Sequence, residues 1–205
     1  MQALWDEKFS KGRLLYGEAP NAFIESQFYR MEKAKRVLCL GEGEGRNALF
    51  LAEQGIPHVE ALDASFVALS RLRHLAKERY VAITLCHTLI AYWSPRKESY
   101  DAIVCSYLHL QKPEQKLLFE KIIDALKPKG VFIGEFFSTS QRHFKSGGPM
   151  DEDLLYDINH LSHLLKSLPC LIRKLSQEVI RLEEGTKHVG EASVIRMVIE
   201  KTKED

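Results

Sequence analysis

The chain reads as an α/β fold: a doubly wound, mostly parallel sheet that ends in a C-terminal antiparallel hairpin. Three observations predict it. Short apolar runs with no polar alternation, as strands covered on both faces require, alternate with helix-like segments. The first of these runs opens directly into a glycine-rich turn. The last two strand-like runs have only a short turn between them, which suits antiparallel pairing.

Arg36–Leu40 (RVLCL) is the first strand, and Gly41, Gly43 and Gly45 follow it. Residues 46–54 read as a helix closed by Gly55. Residues 57–62 form a second strand that ends at Asp63. Ser65 then caps a helix whose Leu69, Leu72, Leu75 and Ala76 share one face. Arg71, Arg73, Lys77 and Arg79 lie mostly off that face and read as solvated charges rather than a nucleic-acid surface. Residues 81–86 and 101–106 are the third and fourth strands. Pro113 suits the first turn of a helix running to Lys127, with Pro128 and Gly130 as its stop. Residues 130–137 are the fifth strand. Leu154, Ile158, Leu161 and Leu165 predict a helix over 151–168, closed by Pro169. Residues 177–183 and 192–200 pair as the hairpin, with a turn over 185–190.

The 205 residues suit one domain, 1–205, with a core that needs no disulfide or metal. Apolar residues make up 45% and charged residues 28%, which excludes a disordered or collagen-like chain. No apolar run approaches the roughly 18 residues of a membrane span. A net charge of +1 provides no bulk field for nucleic acid. Cys39, Cys86, Cys105 and Cys170 form no C-x-x-C pair, and residues 1–11 are polar and aromatic, unlike a secretory leader. The expectation is a cytoplasmic protein with a small-molecule substrate and neither nucleic acid nor membrane as partner. The sequence leaves the oligomeric state open.

Ligands of doubly wound sheets bind beyond the carboxyl ends of the strands. There the chain places Gly41-Glu42-Gly43-Glu44-Gly45, and Asp63 at the end of the second strand. Glycine allows the tight turn and a close backbone approach. An acid at that strand end can accept both hydroxyl protons of a ribose. The dinucleotide pattern needs a third glycine where this chain has Arg46, and Glu42 and Glu44 would oppose a pyrophosphate. The same acids are compatible with S-adenosylmethionine (SAM), which has no phosphate and carries a sulfonium and an amino group. The turn therefore favours SAM over a nicotinamide dinucleotide.

VLCLGEGEGRNALFLAEQG (37–55) with VEALDAS (59–65) resembles the SAM-binding core of the Rossmann-like class I methyltransferases. SYLHL (106–110), ALKPKGVFIGEFF (125–137), SGGP (146–149), EEGTKHVGEASVIRMV (183–198) and WDEKF…YGEAPNAFI (5–24) extend the likeness. Together they resemble the small bacterial tellurite-resistance and thiopurine methyltransferase group. The resemblance implies that Gly41, Gly43 and Gly45 floor the methionine part of SAM. It implies that Asp63 holds the ribose, that Ala64 lies against the adenine, and that Ser106 and Tyr107 face the methionine end. It also implies an N-terminal lid over 1–30 in which Trp5, Phe9 and Tyr16 close over the cofactor. Two positions depart from the family pattern. Cys39 stands where an acid usually sits, and Leu89 where an Asp or Asn usually accepts from the adenine amino group.

Methyl transfer asks the protein mainly to orient donor and acceptor, so a thiolate or a selenium or tellurium anion needs no protein nucleophile. An oxygen or nitrogen acceptor would benefit from a base. By position the candidate is His109, with His188, His143 and Arg142 also near strand ends. Tyr107, His109, Phe137, Arg142 and His188 are expected around the acceptor, with Arg142 and the histidines adding positive charge. Asp157, His160 and His163 have a metal-like spacing but read as a solvated helix face. The other readings are a non-catalytic SAM-binding protein and, against Arg46, a nucleotide-dependent oxidoreductase.

Overall fold

The computed structural model describes residues 2–12 and 14–203. Positions 1 and 13 of the expected lid, and positions 204 and 205 of the expected domain, lie outside these. Seven strands form one sheet in the order β3-β2-β1-β4-β5-β7-β6. They are β1 Arg36–Leu40, β2 His58–Asp63, β3 Ile83–His87, β4 Tyr100–Ser106, β5 Leu126–Phe137, β6 Cys170–Glu184 and β7 His188–Lys201. The first five are parallel; β7 runs antiparallel to β5 and to β6. The helices are α1 Gln2–Ser10, α2 Ala22–Ser26, α3 Arg46–Glu53, α4 Phe66–Glu78, α5 Lys112–Ala125 and α6 Ile158–Lys166.

Side chains alternate across β1 as a pleated strand requires. Val37 and Cys39 enter a layer with Leu49 of α3 and Leu69 and Leu72 of α4. Leu38 and Leu40 enter the opposite layer with Phe119 and Ile122 of α5 and Leu161 of α6. Both faces are therefore covered, which explains the uninterrupted apolar reading of RVLCL. The sheet order reverses at β1 and β4, and the loops leaving those two strands diverge to opposite faces. A crevice opens between them at the carboxyl edge.

Three expected boundaries are corrected. The helix after Pro113 ends at Ala125, not Lys127. The amides of Glu98 and Ser99 take the carbonyls of Asp124 and Ala125, and Leu126 is already extended. Pro128 and Gly130 lie inside β5, where Leu126 faces Tyr100 and Val131 faces Ala102; the extra residues bulge, and Pro128 has no amide to lose there. The helix expected over 151–168 begins only at Ile158, preceded by a single 3-10 turn at Glu152–Leu154. Between them the Tyr156 amide donates to the Phe137 carbonyl and the Tyr156 carbonyl accepts from Thr139. Pairing with the sheet end overrides the helical spacing. The hairpin strands are longer than expected, and their turn is only Gly185, Thr186 and Lys187. Helices α1 and α2, in the polar aromatic N-terminal segment, lacked a periodic signal.

Asp157 caps α6: its side chain accepts from the His160 amide at 2.8 Å. Among the described residues no group of three metal-ligating side chains comes together, so Asp157, His160 and His163 form no metal cluster. No helix of the described residues is long and apolar enough to cross a membrane. Asp157→Ala should cost about 1 kcal/mol by loss of the cap, and lower Tm by about 2–4 °C at this chain length. A thermal melt followed by circular dichroism measures it.

Candidate active site

The β1–α3 turn is built on left-handed glycines, with φ of 60° at Gly41, 62° at Gly43 and 97° at Gly45. Their surroundings differ. A Cβ on Gly43 would meet only the Phe9 ring, at 3.1 Å, on the cavity side. A Cβ on Gly45 would sit 2.1 Å from Leu72 of α4. Gly41 and Gly43 line the crevice; Gly45 is outside its wall and serves the close packing of α3 on α4.

Glu42 and Glu44, read from sequence as charges facing the ligand, are both engaged by the protein. Glu42 accepts from the amides of Asn47 and Ala48 at 2.7 and 2.8 Å, at the N-terminus of α3, where a carboxylate is favoured. Its side chain still borders the cavity, and burial pushes its pKa up to about 7 against the pull of the Ala48 and Asn47 donors. Glu44 turns away. It accepts from the amides of Leu14 and Leu15, both at 2.8 Å, and from Arg71 at 2.8 Å. Arg71 and Arg79, expected as solvated charges, bind Glu44 and the pair Glu18 and Glu53 respectively.

Asp63 accepts from the Gly43 amide and the Ser65 amide, each at 2.7 Å. Each oxygen keeps a lone pair, and the residue lines the cavity. Burial raises its pKa, opposed by the Ser65 and Gly43 donors. Ala64, Thr88, Leu89, Ile90 and Ala91 continue the wall. The Leu89 carbonyl accepts from the Tyr92 and Trp93 amides, while Cys39 is sealed in the α3/α4 core layer and does not line the cavity. Ser106 lines the crevice and accepts from Asn47 Nδ2 at 3.2 Å.

Tyr107 holds a left-handed φ of 53°, rare for a non-glycine residue. Its amide donates to the Glu135 carbonyl at 2.8 Å and its hydroxyl to Glu135 Oε1 at 2.5 Å. The buried Glu135 also accepts from Asn21 and from Arg196, at 2.7 and 2.6 Å. Such over-determination is what keeps a strained backbone in place. The Tyr107 hydroxyl is thus spent on Glu135, and the ring is what faces the cavity.

The N-terminal segment lies over the crevice. Phe9 is 3% exposed, with Trp5 and Tyr16 packed beside it. Asp6 of α1 accepts from Ser65 Oγ at 2.6 Å and from the Val67 amide at 3.1 Å, docking α1 on the start of α4. The segment also meets the hairpin turn, where the Thr186 amide donates to the Leu15 carbonyl. A Cβ on Gly185 would fall 2.4 Å from the Gly17 amide nitrogen, so the two backbones need glycine to approach.

Tyr16 packs tilted against His188 with ring centroids 4.5 Å apart, and His188 lies edge-on to Tyr107 at 4.7 Å. His188 Nδ1 is 3.0 Å from Glu184 Oε2, and Glu184 also pairs with Arg46 at 3.0 Å. Burial would raise Glu184, yet the His188 hydrogen bond and Arg46 hold it below the usual carboxylate range. His188 itself is lowered by burial, against Glu184. His109 lines the same cavity and stacks on Trp5 at 5.9 Å, but burial, then Lys8 and His188, push its pKa down to about 3. Both rings are therefore neutral near pH 7. Two expected acceptor residues are elsewhere: Arg142 is at the surface on Glu152, and Phe137 stacks behind Tyr107 at 4.6 Å without lining the cavity. His143 is exposed. The positive charge near the mouth comes from Lys8, whose ammonium lies 4.5 Å from the Trp5 ring centroid.

These residues suit SAM. The glycine cradle is open at Gly43, Asp63 has acceptor capacity for a ribose diol, and Trp5, Phe9, Tyr16 and Tyr107 offer aromatic faces to a sulfonium. The cavity measures about 140 Å³, below the roughly 300–1,000 Å³ of ligand clefts. The Phe9 ring, over Gly43, takes up part of that space. Asn21, Asn47, Glu135, Glu184 and Arg196 hold the site together; all five lie in the blocks that carry the resemblance, yet none had a role from sequence, because each acts through a partner far away in the chain.

Residues 37–130 match the family model of a methyltransferase domain. No curated protein sequence matches the chain. Among solved structures, a SAM-dependent methyltransferase from Methanosarcina mazei superposes with a TM-score of 0.72 at 16% identity, covering 91% of this chain and all of that one. TehB from Haemophilus influenzae superposes with 0.70 at 17%, covering 97% and 67%. A protein described for conversion of a disulfide bond into a thioacetal group in echinomycin biosynthesis gives 0.74 at 18%, covering 98% and 92%. At such identities the likeness is one of fold.

Glu42 gives the site a pH signature. Its folded-state pKa lies above the ordinary 4.5, so the stability it contributes is full below 4.5 and is lost as pH rises through about 7. Tm of the native chain should fall between pH 5 and 8 more steeply than that of Glu42→Gln, measured by calorimetry across that range.

Proposed function

We propose that this chain, which carries a methyltransferase domain and the fold of the SAM-dependent methyltransferases, transfers the methyl group of SAM to a soft nucleophile on a small molecule. A thiol is the foremost acceptor, with selenium and tellurium anions in the same class. The observation that carries this reading is the Glu184–His188 pair at 3.0 Å, set into an aromatic wall beside the glycine turn.

SAM supplies a methyl carbon on a sulfonium; the acceptor lone pair forms the new bond while the electrons of the broken C–S bond stay on sulfur. The chain has three tasks around that step. Gly41, Gly43 and Asp63 hold the cofactor in one orientation, and orientation alone contributes about 7–11 kcal/mol. Trp5, Phe9 and Tyr16 cover it and exclude water. Glu184 fixes the His188 tautomer with hydrogen on Nδ1, so Nε2 presents a lone pair that takes the proton of a neutral thiol. His109, with a pKa about 3, is a poor match to that task at neutral pH and forms a neutral wall.

Two measurements test the reading. Asp63→Ala should weaken SAM and S-adenosylhomocysteine several-fold or more in calorimetry, through lost ribose hydrogen bonds. Unchanged affinity in the folded variant would remove Asp63 from the cofactor site. On a panel of thiols, selenite and tellurite, His188→Gln should lower kcat by about 10²-fold or more, with a smaller loss for His109→Ala. The opposite ranking returns the proton-accepting role to His109. Binding of SAM with no turnover on the whole panel would leave a SAM-binding protein.

A further inference from the structure

Resting on that methyltransferase reading, we propose that Glu42 holds the α-ammonium of SAM, supplying from within the glycine turn the carboxylate that β1 lacks at Cys39. A cation drawn into a crevice needs acceptors, and a carboxylate is the strongest of them. Among the described residues three carboxylates line this crevice: Glu42, Asp63 and Glu114. Asp63, at the end of β2, is the ribose acid of that reading. Glu114 is tied to the start of α5, where its Oε2 accepts from the Gln111 amide at 3.1 Å. Glu42 lies in the turn between β1 and α3, and one side chain joins it to the end of β4. Asn47 Nδ2 donates to Glu42 Oε2 and to Ser106 Oγ, each at 3.2 Å. Ser106 is the residue that the same reading sets at the methionine end of the cofactor, so the acid beside that end is Glu42.

The two oxygens of Glu42 differ. Oε1 is filled by the Asn47 and Ala48 amides, at 2.7 and 2.8 Å. Oε2 has only the longer Asn47 contact and keeps a lone pair for another donor. Cys39 does not compete, because its thiol is buried in the α3/α4 layer and stays protonated. Ionisation of Glu42 is opposed by burial and favoured by Arg46, Asn47 and Ala48 of α3, which leaves its pKa at about 7. The thiols of Cys39 on β1 and Cys105 on β4, both pushed up by burial and by Glu42, are neutral neighbours. The other ionisable groups lining the crevice, apart from Arg46, are Asp63, Glu114, Tyr16, Tyr107, His109 and His188. An ammonium on Oε2 favours the carboxylate over the carboxylic acid. Below pH 7 Glu42 of the free chain is protonated and has to lose that proton to hold the cation; above pH 7 it is already charged. Cofactor uptake therefore releases a proton near neutrality, and affinity rises about tenfold from pH 6 to pH 8.

Calorimetric titration of the full chain tests this with two probes. One is S-adenosylhomocysteine; the other is S-adenosyl-4-thiobutyrate, which keeps the nucleoside and the carboxylate and lacks the amine. Repeating each titration at pH 7 in buffers of different ionisation enthalpy counts the protons released. The native chain should bind S-adenosylhomocysteine about tenfold or more tightly than the deamino probe, and release about half a proton with it alone. Glu42→Gln should weaken S-adenosylhomocysteine about tenfold or more, leave the deamino probe within about twofold, and abolish the proton release. Equal affinity of the two probes for the native chain overturns the assignment, and this comparison stands even where Glu42→Gln fails to fold. So does unchanged S-adenosylhomocysteine affinity in the folded variant, the absence of proton release, or the same release with both probes. Failure of both probes to bind the native chain overturns the methyltransferase reading instead.

Discussion

A carboxylate taken out of water must find donors or lose its charge, and this constraint organises the whole carboxyl edge of the sheet. Glu42, Glu44, Asp63, Glu135 and Glu184 all sit there. Each is met by donors: Glu42 by the first turn of α3, Glu44 by Leu14 and Leu15, Asp63 by the Gly43 and Ser65 amides, Glu135 by Asn21, Tyr107 and Arg196, Glu184 by Arg46 and His188. The acids thus draw the N-terminal segment, the glycine turn, the β4 loop and the hairpin into one assembly. Removing any one acid would leave buried donors unpaired, which costs about 1–3 kcal/mol each.

That assembly explains why the cover over the crevice belongs to the fold and to the site at once. Glu44 holds the backbone just after α1, and Asp6 holds α1 itself on α4. Gly17 and Gly185 let the hairpin turn press on the same segment. The aromatic side chains carried by this strap fill the space above Gly43. Phe9 thus sits over Gly43 between two carboxylate anchors, Asp6 on one side and Glu44 on the other.

Burial also sets the two histidines of the cavity in different electrostatic surroundings. His109 has aromatic and cationic neighbours and no carboxylate, so its protonated form is strongly disfavoured. His188 is buried among aromatic rings too, but Glu184 offsets part of that cost and sets the tautomer. Position along the chain had favoured His109, because it follows β4 closely. A carboxylate partner is found by His188 instead, in a hairpin about eighty residues further on.

Patterns that act locally were legible in the sequence. Doubly covered strands read as apolar runs because both faces of each residue are buried. The glycines after Leu40, Asp63 at the end of β2 and the Ser65 cap were visible because a tight turn, a strand end and a helix start each restrict residue type at one position. These determined the sheet and the edge at which the crevice opens. Tertiary structure decided the rest. Tyr156 leaves its helical spacing to pair with the end of β5, and Gly45 proves to serve Leu72 rather than the cavity. Glu44 turns from the ligand to Leu14 and Leu15, Arg142 goes to the surface, and Lys8 supplies the charge expected from it. The physical reason is common to all five. Where a side chain points, and what protonation state it holds, depends on partners brought near only by folding, and no periodicity or spacing within one segment encodes them.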